Sequence, residues 1–365
     1  MKQNIRYYCF YFLCILCALF ILFFLITILK NSNKPTNQGQ QYKDGQLSLP
    51  LNINYPRLNT PINISDYIIQ VEKIKSSSPA LYRKNEHIYK AINEWINRSL
   101  KTDEFYKVGL NSYEMVGQDG YGNVHLTGYY TPIIKARHQP TAEFKYPIYK
   151  MPTSSGEQLP NREQIYNGAL AGKDLEIAYS NSLMDNFIME VQGSAYIDFE
   201  DGSPLVFFCY GGKNNHSYSS IGRLLAEQGE ITKENMSIQS IKDWAENQKE
   251  EQLKSLLIQN RSFVFFKPQY NAEVIGAAEV PLVANASVAS DKSIIPIGSV
   301  VLVDVPLLED DGQYRGRRET RLMVALDVGG AIKGQHFDLY LGIGDKAGKL
   351  AGYYNHYGRA WVLQP

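Results

Sequence analysis

The chain has 365 residues, of which 44% are hydrophobic, 37 are basic and 37 are acidic. A single compact domain stops growing at roughly 250 to 300 residues, so this length predicts two domains. The balanced charge leaves no overall positive excess to neutralise a phosphate backbone, which argues against nucleic acid as a partner.

The N-terminal segment Tyr7–Leu29 contains no Asp, Glu, Lys or Arg. At about 1.5 Å of rise per residue, a helix of this length crosses a ~30 Å hydrocarbon core. A cleaved signal peptide normally has a shorter apolar region that ends at small residues, and no such site closes this run. We therefore predict that residues 1–30 form a retained membrane anchor, with a cleaved signal as the alternative. The polar residues 31–48 that follow are typical of a tether.

The cysteines indicate neither a disulfide nor a metal site. Cys9, Cys14 and Cys17 all lie in the apolar run, which leaves Cys209 alone in the body of the chain. A single cysteine cannot form an intradomain disulfide. Cys14 and Cys17 form a CxxC, but no second pair of ligands follows, so we predict no metal and no cofactor.

The predicted elements of the body alternate between helical and extended patterns. A helix begins at Ser78-Pro79, and residues from Val108 to Tyr210 form short alternating runs that predict β structure. Two further helices are indicated by apolar residues at helical spacing: Ile221, Leu224 and Leu225 in one, and Ile238, Ile241, Trp244, Leu253 and Leu256 in the other. The C-terminal β runs are Ser287–Ala289, Val300–Val305, Arg321–Asp327 and Phe337–Leu341. The pattern predicts an α+β fold that is mainly β.

Several familiar chemistries lack their motifs. The sequence has no HExxH, no G-x-S-x-G and no GxxxxGK[ST]. Its six histidines are scattered without an i, i+4 pair, and each alone is interpreted as a structural residue. Gly342, Gly344 and Gly348 are interpreted as loop glycines, because their spacing does not fit a dinucleotide site.

Two aspartates near the C-terminus are the candidates for chemistry. Asp327 ends an apolar strand, and Asp338 lies between Phe337 and Leu339. Strand alternation places the Asp338 side chain on the face opposite both apolar neighbours. Partial burial in a groove on that face would raise the pKa of the carboxyl, as a general acid near neutral pH requires. The alternative for either residue is a carboxylate that holds a loop by accepting backbone N–H bonds.

Six segments resemble the membrane-bound lytic murein transglycosylase A family over nearly the whole chain after the tether. They are Gln40–Gly45, Thr127–Pro132, Asn181–Phe187, Val191–Ser194, Ser287–Pro296 and Asp327–Asp338. The resemblance implies a double-psi β-barrel domain formed by residues 49–131 plus 271–365. It also implies a smaller β domain inserted at 132–270, with the substrate groove between the two domains.

The resemblance also implies the site. Asp338 matches the catalytic aspartate of the family, Asp327 and Asp291 match its other two motif aspartates, and Thr127 matches a groove residue near the catalyst. The remaining candidates for substrate binding are Tyr129, Gln192, Lys333, Tyr354, Asn355 and Tyr357.

The implied reaction cleaves the β-1,4 bond between N-acetylmuramic acid and N-acetylglucosamine in peptidoglycan. Asp338 protonates the leaving oxygen, and the carboxylate then takes the proton of the muramic acid C6 hydroxyl, which closes a 1,6-anhydro ring. The tethered nucleophile provides a large effective molarity. Two alternatives stay open: a hydrolase in which Asp327 and Asp338 act as a carboxyl pair, and a non-catalytic glycan-binding module.

The implied location is the cell envelope. Members of the family are typically outer-membrane lipoproteins, but Cys9, Cys14 and Cys17 follow Tyr8, Leu13 and Leu16 rather than the small residue that lipid attachment needs. An inner-membrane anchor that faces the periplasm is therefore the prediction. The implied partners are peptidoglycan glycan strands, the membrane and other cell-wall enzymes.

Overall fold

The computed structural model describes residues 42–43, 46–47, 56–118, 120, 122–153, 158–232 and 236–365. The predicted anchor, residues 1–30, and most of the predicted tether lie outside these ranges. Within them, no helix is both long enough and apolar enough to cross a bilayer.

The helices of the described ranges vary from five to nineteen residues. They are α1 (Ile64–Ser77), α2 (Pro79–Asn97), α3 (Arg162–Tyr166), α4 (Leu183–Gln192), α5 (Ile221–Glu227), α6 (Ile238–Glu246), α7 (Glu250–Leu257) and α8 (Gly344–Tyr353), with a 3₁₀-helix at Thr102–Val108. The helix predicted at Ser78-Pro79 is confirmed as α2. Proline suits its first position because the N–H that proline lacks has no partner within the helix there.

The strands fall into two sheets and a short pairing of β1 (Tyr42–Lys43) with β2 (Gln46–Leu47). The eight-stranded sheet has the order β15-β4-β14-β11-β13-β12-β16-β3, and the six-stranded sheet has the order β10-β9-β8-β5-β7-β6. The remaining strands are β3 (Asn111–Glu114), β4 (Val124–Thr131), β5 (Ile133–Arg137), β6 (Tyr146–Tyr149), β7 (Glu176–Ser180), β8 (Ala195–Asp198), β9 (Val206–Lys213), β10 (Val264–Gln269), β11 (Ser287–Ala289), β12 (Val300–Leu308), β13 (Tyr314–Asp327), β14 (His336–Ile343), β15 (Asn355–Gly358) and β16 (Ala360–Gln364). This arrangement confirms the α+β class.

Three local predictions are corrected by the structure. The stretch predicted as β from Val108 to Tyr210 also contains α3 and α4, and α4 has clear end signals: Ser182 accepts a hydrogen bond from the Asp185 N–H, and Gly193 has φ +82°. The single helix predicted after Ile238 is two helices, α6 and α7, separated by residues 247–249. None of the three glycines predicted to lie in a loop does so, because Gly342 belongs to β14 and Gly344 and Gly348 belong to α8.

The strand register brings distant residues of the site together. Strands β4 and β14 are parallel neighbours, so Thr127 lies beside Asp338 and His125 lies beside His336. On the other side of β14, Ala289 of β11 is the partner of Asp338. Asp338 therefore occupies a central strand of the larger sheet, with hydrogen-bonded backbone on both flanks.

A small cluster of buried side chains joins the two sheets. Tyr129, Tyr340 and Ala289 of the eight-stranded sheet pack together with Phe207 and Cys209 of β9 in the six-stranded sheet. The rings of Tyr129 and Tyr340 lie 5.2 Å apart. Because Tyr129 and Tyr340 each lie two residues from a site residue along their strands, this cluster fixes the six-stranded sheet next to the candidate site.

Candidate active site

Asp338 lies near the start of β14 between two buried neighbours. Phe337 and Leu339 are essentially fully buried, whereas Asp338 retains some exposed surface, as strand alternation predicts. The Thr127 hydroxyl donates a hydrogen bond of 2.7 Å to Asp338 Oδ1. Among the described residues, no hydrogen bond reaches Asp338 Oδ2. One oxygen of this carboxyl is therefore held by the protein, and the other is left for a further partner.

The surroundings of Asp338 favour its protonated form. Burial raises the pKa of Asp338 to about 7; the Thr127 hydrogen bond opposes this rise, and the negative charge of Asp327 adds to it. A carboxyl that titrates near neutral pH can both deliver a proton and take one back. Both steps of an acid/base reaction are open to this one group.

Asp327 is held by donors on both of its oxygens. Its Oδ1 accepts hydrogen bonds of 2.9 Å from the backbone N–H groups of Ala277 and Val328, and its Oδ2 accepts one of 3.0 Å from the Tyr129 hydroxyl. Burial raises the pKa of Asp327, while these three hydrogen bonds lower it. These contacts fit the alternative considered for Asp327, a carboxylate that holds a loop by accepting backbone N–H bonds.

Asp291 belongs to a turn beside the site. Its Oδ1 accepts hydrogen bonds from the hydroxyl and the backbone N–H of Ser293, and its Oδ2 accepts one of 3.1 Å from the Gly334 N–H. Burial opposes ionisation, but these hydrogen bonds and the charge of Lys333 together lower the pKa of Asp291. Of the three aspartates, Asp338 is the one that combines a raised pKa with an oxygen to which no described residue donates.

Two further sequence candidates lie around this centre. Gln192, at the end of α4, accepts a hydrogen bond of 2.9 Å from the backbone N–H of Tyr130 and so connects α4 to β4. Lys333 is exposed and lies close enough to Asp291 to lower its pKa. Gln192 therefore has a structural contact, whereas Lys333 is exposed to solvent beside Asp291.

The candidates at the C-terminal end separate into one core residue and two surface residues. Tyr354 is buried, and its hydroxyl donates to the Pro306 carbonyl at 2.9 Å, so the structure gives Tyr354 a packing position rather than a groove position. Asn355 and Tyr357 are exposed on β15. Asn355 Oδ1 lies 2.8 Å from His125 Nε2, and the Tyr357 ring lies 5.3 Å from the His125 ring.

Two histidines that the sequence presents as isolated residues meet beside the candidate catalyst. The rings of His125 and His336 stack with centroids 4.4 Å apart, and His336 Nε2 lies 2.9 Å from Thr127 Oγ1. Burial and then the nearby His125 lower the pKa of His336 to about 4. The only sequence signal for this pair is that both residues lie two positions before a site residue on their strands.

Comparison with known proteins identifies two regions of the chain. Residues 125–267 match a family described as the MltA specific insert domain, and residues 286–364 match a family described as the 3D domain. The first match includes Thr127, and the second includes all three site aspartates.

Full-length relatives extend the match. Over 335 residues, the chain is 56% identical to membrane-bound lytic murein transglycosylase A of Escherichia coli K12, covering 91% of each protein. It is 42% identical to the protein of that name from Vibrio cholerae, covering 91% of this chain and 90% of the relative.

Solved structures give the same result. A crystal structure of E. coli MltA with bound chitohexaose has a TM-score of 0.83 and 55% identity, covering 91% of this chain and 99% of that one. A crystal structure of MltA from Neisseria gonorrhoeae, at 23% identity and a TM-score of 0.68, shares the fold. The chain belongs to the membrane-bound lytic murein transglycosylase A family.

Proposed function

We propose that this protein is a peptidoglycan lytic transglycosylase in which Asp338 is the single general acid and base. The observation that carries the proposal is the state of Asp338: a half-buried carboxyl with a pKa of about 7, one oxygen held by Thr127 and the other open. The family relationship supplies the reaction and the substrate, because the relatives are named lytic murein transglycosylases.

In the first step, protonated Asp338 donates to the oxygen that links N-acetylmuramic acid to N-acetylglucosamine. The bond from that oxygen to C1 of the muramic acid breaks as positive charge develops at the sugar ring. The released N-acetylglucosamine end takes the proton as a hydroxyl group. Asp338 is left as a carboxylate, whose negative charge stabilises the neighbouring positive centre.

In the second step, the Asp338 carboxylate removes the proton of the C6 hydroxyl of the same muramic acid. The C6 oxygen attacks C1 and closes the 1,6-anhydro ring, and Asp338 regains its proton. Because nucleophile and electrophile belong to one sugar, no water has to be positioned and one carboxyl is enough. A pKa near 7 suits both steps, since it makes proton loss and proton recovery comparably easy.

The other two aspartates support Asp338 in this proposal. Asp327 fixes Tyr129 and the Ala277 backbone, and its negative charge favours a protonated Asp338. Asp291 fixes the segment at Gly334, two residues before His336 and β14. Both therefore act on the catalyst through position and charge rather than by contact with the reacting atoms.

The glycan groove is proposed to lie between the two sheets, along Thr127, Tyr129, Lys333, Asn355 and Tyr357. A related structure contains chitohexaose, an N-acetylglucosamine oligomer, which supports glycan binding by this fold. The exposed positions of Lys333, Asn355 and Tyr357 leave them free to contact sugars.

The domain division follows the two sheets. We propose that residues 49–131 plus 271–365 form the double-psi β-barrel domain and that residues 132–270 form the inserted domain. Strands β5 to β10, which build the six-stranded sheet, all lie within 132–270, and this supports the division.

We further propose that residues 1–30 form a membrane anchor. This anchor would hold the protein on the inner membrane, facing the periplasm, among other cell-wall enzymes.

Digestion of purified peptidoglycan in ¹⁸O-labelled water tests the reaction type. The proposal predicts muropeptides with 1,6-anhydro ends, one water lighter than reducing ends and free of ¹⁸O from that water. Reducing ends that carry ¹⁸O would instead establish a hydrolase. Undegraded sacculi, with binding intact, would establish a glycan-binding module.

A further inference from the structure

A continuous hydrogen-bond chain leads from the catalyst to a buried histidine. Thr127 Oγ1 lies 2.7 Å from Asp338 Oδ1 and 2.9 Å from His336 Nε2. His336 is 9% exposed and its ring stacks on that of His125, whose Nε2 lies 2.8 Å from Asn355 Oδ1. The hydroxyl of Thr127 is therefore shared between one carboxyl oxygen and one imidazole nitrogen.

The direction of this chain follows from counting protons. A threonine hydroxyl has one proton to donate, so Thr127 can donate to Asp338 or to His336 but not to both. When Asp338 is ionised it can only accept, so Thr127 donates to Oδ1 and accepts from the Nε2–H of His336. The arrangement with a deprotonated catalyst thus requires the tautomer of His336 that carries its proton on Nε2.

The groups around His336 allow a neutral ring with one N–H. Those that face it are the His125 ring and the Thr127 hydroxyl of β4, and exposed Asn355 and Tyr357 lie beyond His125 on β15. Burial and His125 lower the pKa of His336 to about 4, so the ring carries a single proton at neutral pH. Among the described residues, the ionisable groups that interact electrostatically with Asp338 are Asp327 and Tyr129.

We propose that His336 is a positioning residue which, through Thr127, directs the acidic proton of Asp338 to Oδ2, the oxygen open to the substrate. Among the described residues, Thr127 Oγ1 has no hydrogen-bond partner besides Asp338 Oδ1 and His336 Nε2. With Nε2–H donating to Thr127, the Thr127 hydroxyl therefore has Oδ1 as its acceptor, and an incoming proton is favoured on Oδ2. Without that N–H, the proton can sit on Oδ1 and be donated to Thr127, away from the glycosidic bond. The inference rests on the proposed role of Asp338.

A matched set of substitutions tests this positioning role in the full-length protein. His336→Asn is polar but places no N–H at the position of Nε2, whereas His336→Gln restores a donor there. We expect His336→Asn to lower kcat about tenfold or more with KM within about twofold, and His336→Gln to recover most of the loss. His336→Leu is a second variant that lacks the donor. His87→Leu, at an exposed position of α2, is the control for histidine removal.

The pH profile separates positioning from simple structural damage. Loss of the N–H weakens the hydrogen bond from Thr127 to ionised Asp338 and lets Thr127 accept from protonated Asp338. Both effects favour the protonated acid and so raise the pKa of Asp338. The pH at which kcat/KM falls should therefore increase by about half a pH unit to one pH unit. A loss of packing would lower the rate without moving the limb.

The tautomer of His336 provides a readout that does not depend on activity. Nitrogen chemical shifts of ¹⁵N-histidine-labelled protein, assigned with the His336→Gln variant, should show the proton on Nε2 at neutral pH. A proton on Nδ1 would overturn the proposal. Full activity of both His336→Asn and His336→Leu would also overturn it, as would equal activity of His336→Gln and His336→Asn.

The Asp338→Asn variant separates this proposal from the proposed function. If Asp338→Asn were active in the same assay, the proposed function itself would fail. An inactive Asp338→Asn together with fully active His336 variants would remove only the role of His336.

Discussion

The chemistry of Asp338 depends on the unequal environments of its two oxygens. Thr127 holds Oδ1, while Oδ2 has no protein donor among the described residues, and the partly buried position penalises the charged form. Asp291 and Asp327 show the contrast, because backbone N–H groups hold both of them. The three aspartates therefore differ in the donors that surround them, and this difference supports the different roles proposed for them.

The first prediction concerns the pH dependence of activity. Asp338 must be protonated to act as the acid, and burial raises its pKa to about 7. Initial rates measured from about pH 5 to about pH 9 should approach a plateau at the acidic end and fall about tenfold per unit well above pH 7. A rate that instead rose through pH 7 would mean that the ionised form initiates the reaction.

The second prediction concerns stability. An aspartate with a raised pKa keeps its proton in the folded state between about pH 4 and about pH 7, where the unfolded chain has lost it, so folding is weakened as pH rises through that window. Asparagine cannot ionise and removes this effect. Asp338→Asn should therefore be more stable than the parent protein at pH 8, on the order of 1 to 3 kcal/mol, and about equal to it near pH 4. Urea unfolding at both pH values measures the difference, and a parent that is more stable at pH 8 would contradict it.

At the scale of elements, the site depends on the close approach of helix α8 to strand β4. Gly128 lies between Thr127 and Tyr129, and a Cβ added there would be 2.8 Å from Leu341 Cδ1 and 3.0 Å from Ala351 Cα. On the helix, a Cβ at Gly348 would be 2.6 Å from the Tyr130 ring. Glycine is needed at both positions for space, because neither residue has a positive φ.

The third prediction follows from this packing. Gly128→Ala should push α8 away from β4, lower the free energy of unfolding by about 1 to 3 kcal/mol and reduce activity, because the substitution disturbs the strand that carries Thr127. Lys346→Ala on the exposed face of the same helix is the control and should change little. Parent-like stability and activity in Gly128→Ala would show that β4 and α8 are not tightly coupled.

At the scale of the whole molecule, two sheets meet beside one carboxyl. Phe207 of the six-stranded sheet is fully buried in the cluster that contains Tyr129 and Tyr340 of the eight-stranded sheet. Tyr129 in turn donates to Asp327. The contact between the sheets is therefore connected to the site by one side chain and one hydrogen bond.

The fourth prediction concerns this contact. Phe207→Ala should lower the free energy of unfolding by about 3 to 5 kcal/mol, because it leaves a cavity between the sheets. It should also lower activity, since Phe207 belongs to the buried cluster that holds Tyr129. Leu205→Ala, at a position that is 38% exposed, is the matched control. Equal effects of the two substitutions in urea unfolding would argue against a structural role for the cluster.

The C-terminal strands and the orientation of Asp338 could be predicted from sequence because alternation is a local property. The strand at Ser287–Ala289 agrees with the prediction, and the Phe337, Asp338 and Leu339 pattern gives the correct burial. The helix at Leu183–Gln192 was missed because its Ser and Gly end signals also indicate turns. Its ends are clear only once the hydrogen bonds of the caps are seen.

The His336 contact could not be predicted because it depends on strand order. His336 and Thr127 are separated by 209 positions in the sequence and meet only because β4 and β14 are parallel neighbours in one register. A single histidine gives no local sign of such pairing. The candidate Tyr354 illustrates the reverse case, because a tyrosine within a polar segment is directed into the core by the turn from α8 to β15.

The most direct test of the central claim compares Asp338→Asn with Asp327→Asn in turnover of purified peptidoglycan and in chitohexaose binding. We predict that Asp338→Asn loses turnover by about a thousandfold or more while binding within about twofold of the parent protein, and that Asp327→Asn keeps measurable production of 1,6-anhydro ends. Normal turnover by Asp338→Asn, or an equally complete loss in Asp327→Asn with binding intact, would contradict a mechanism that uses one carboxyl.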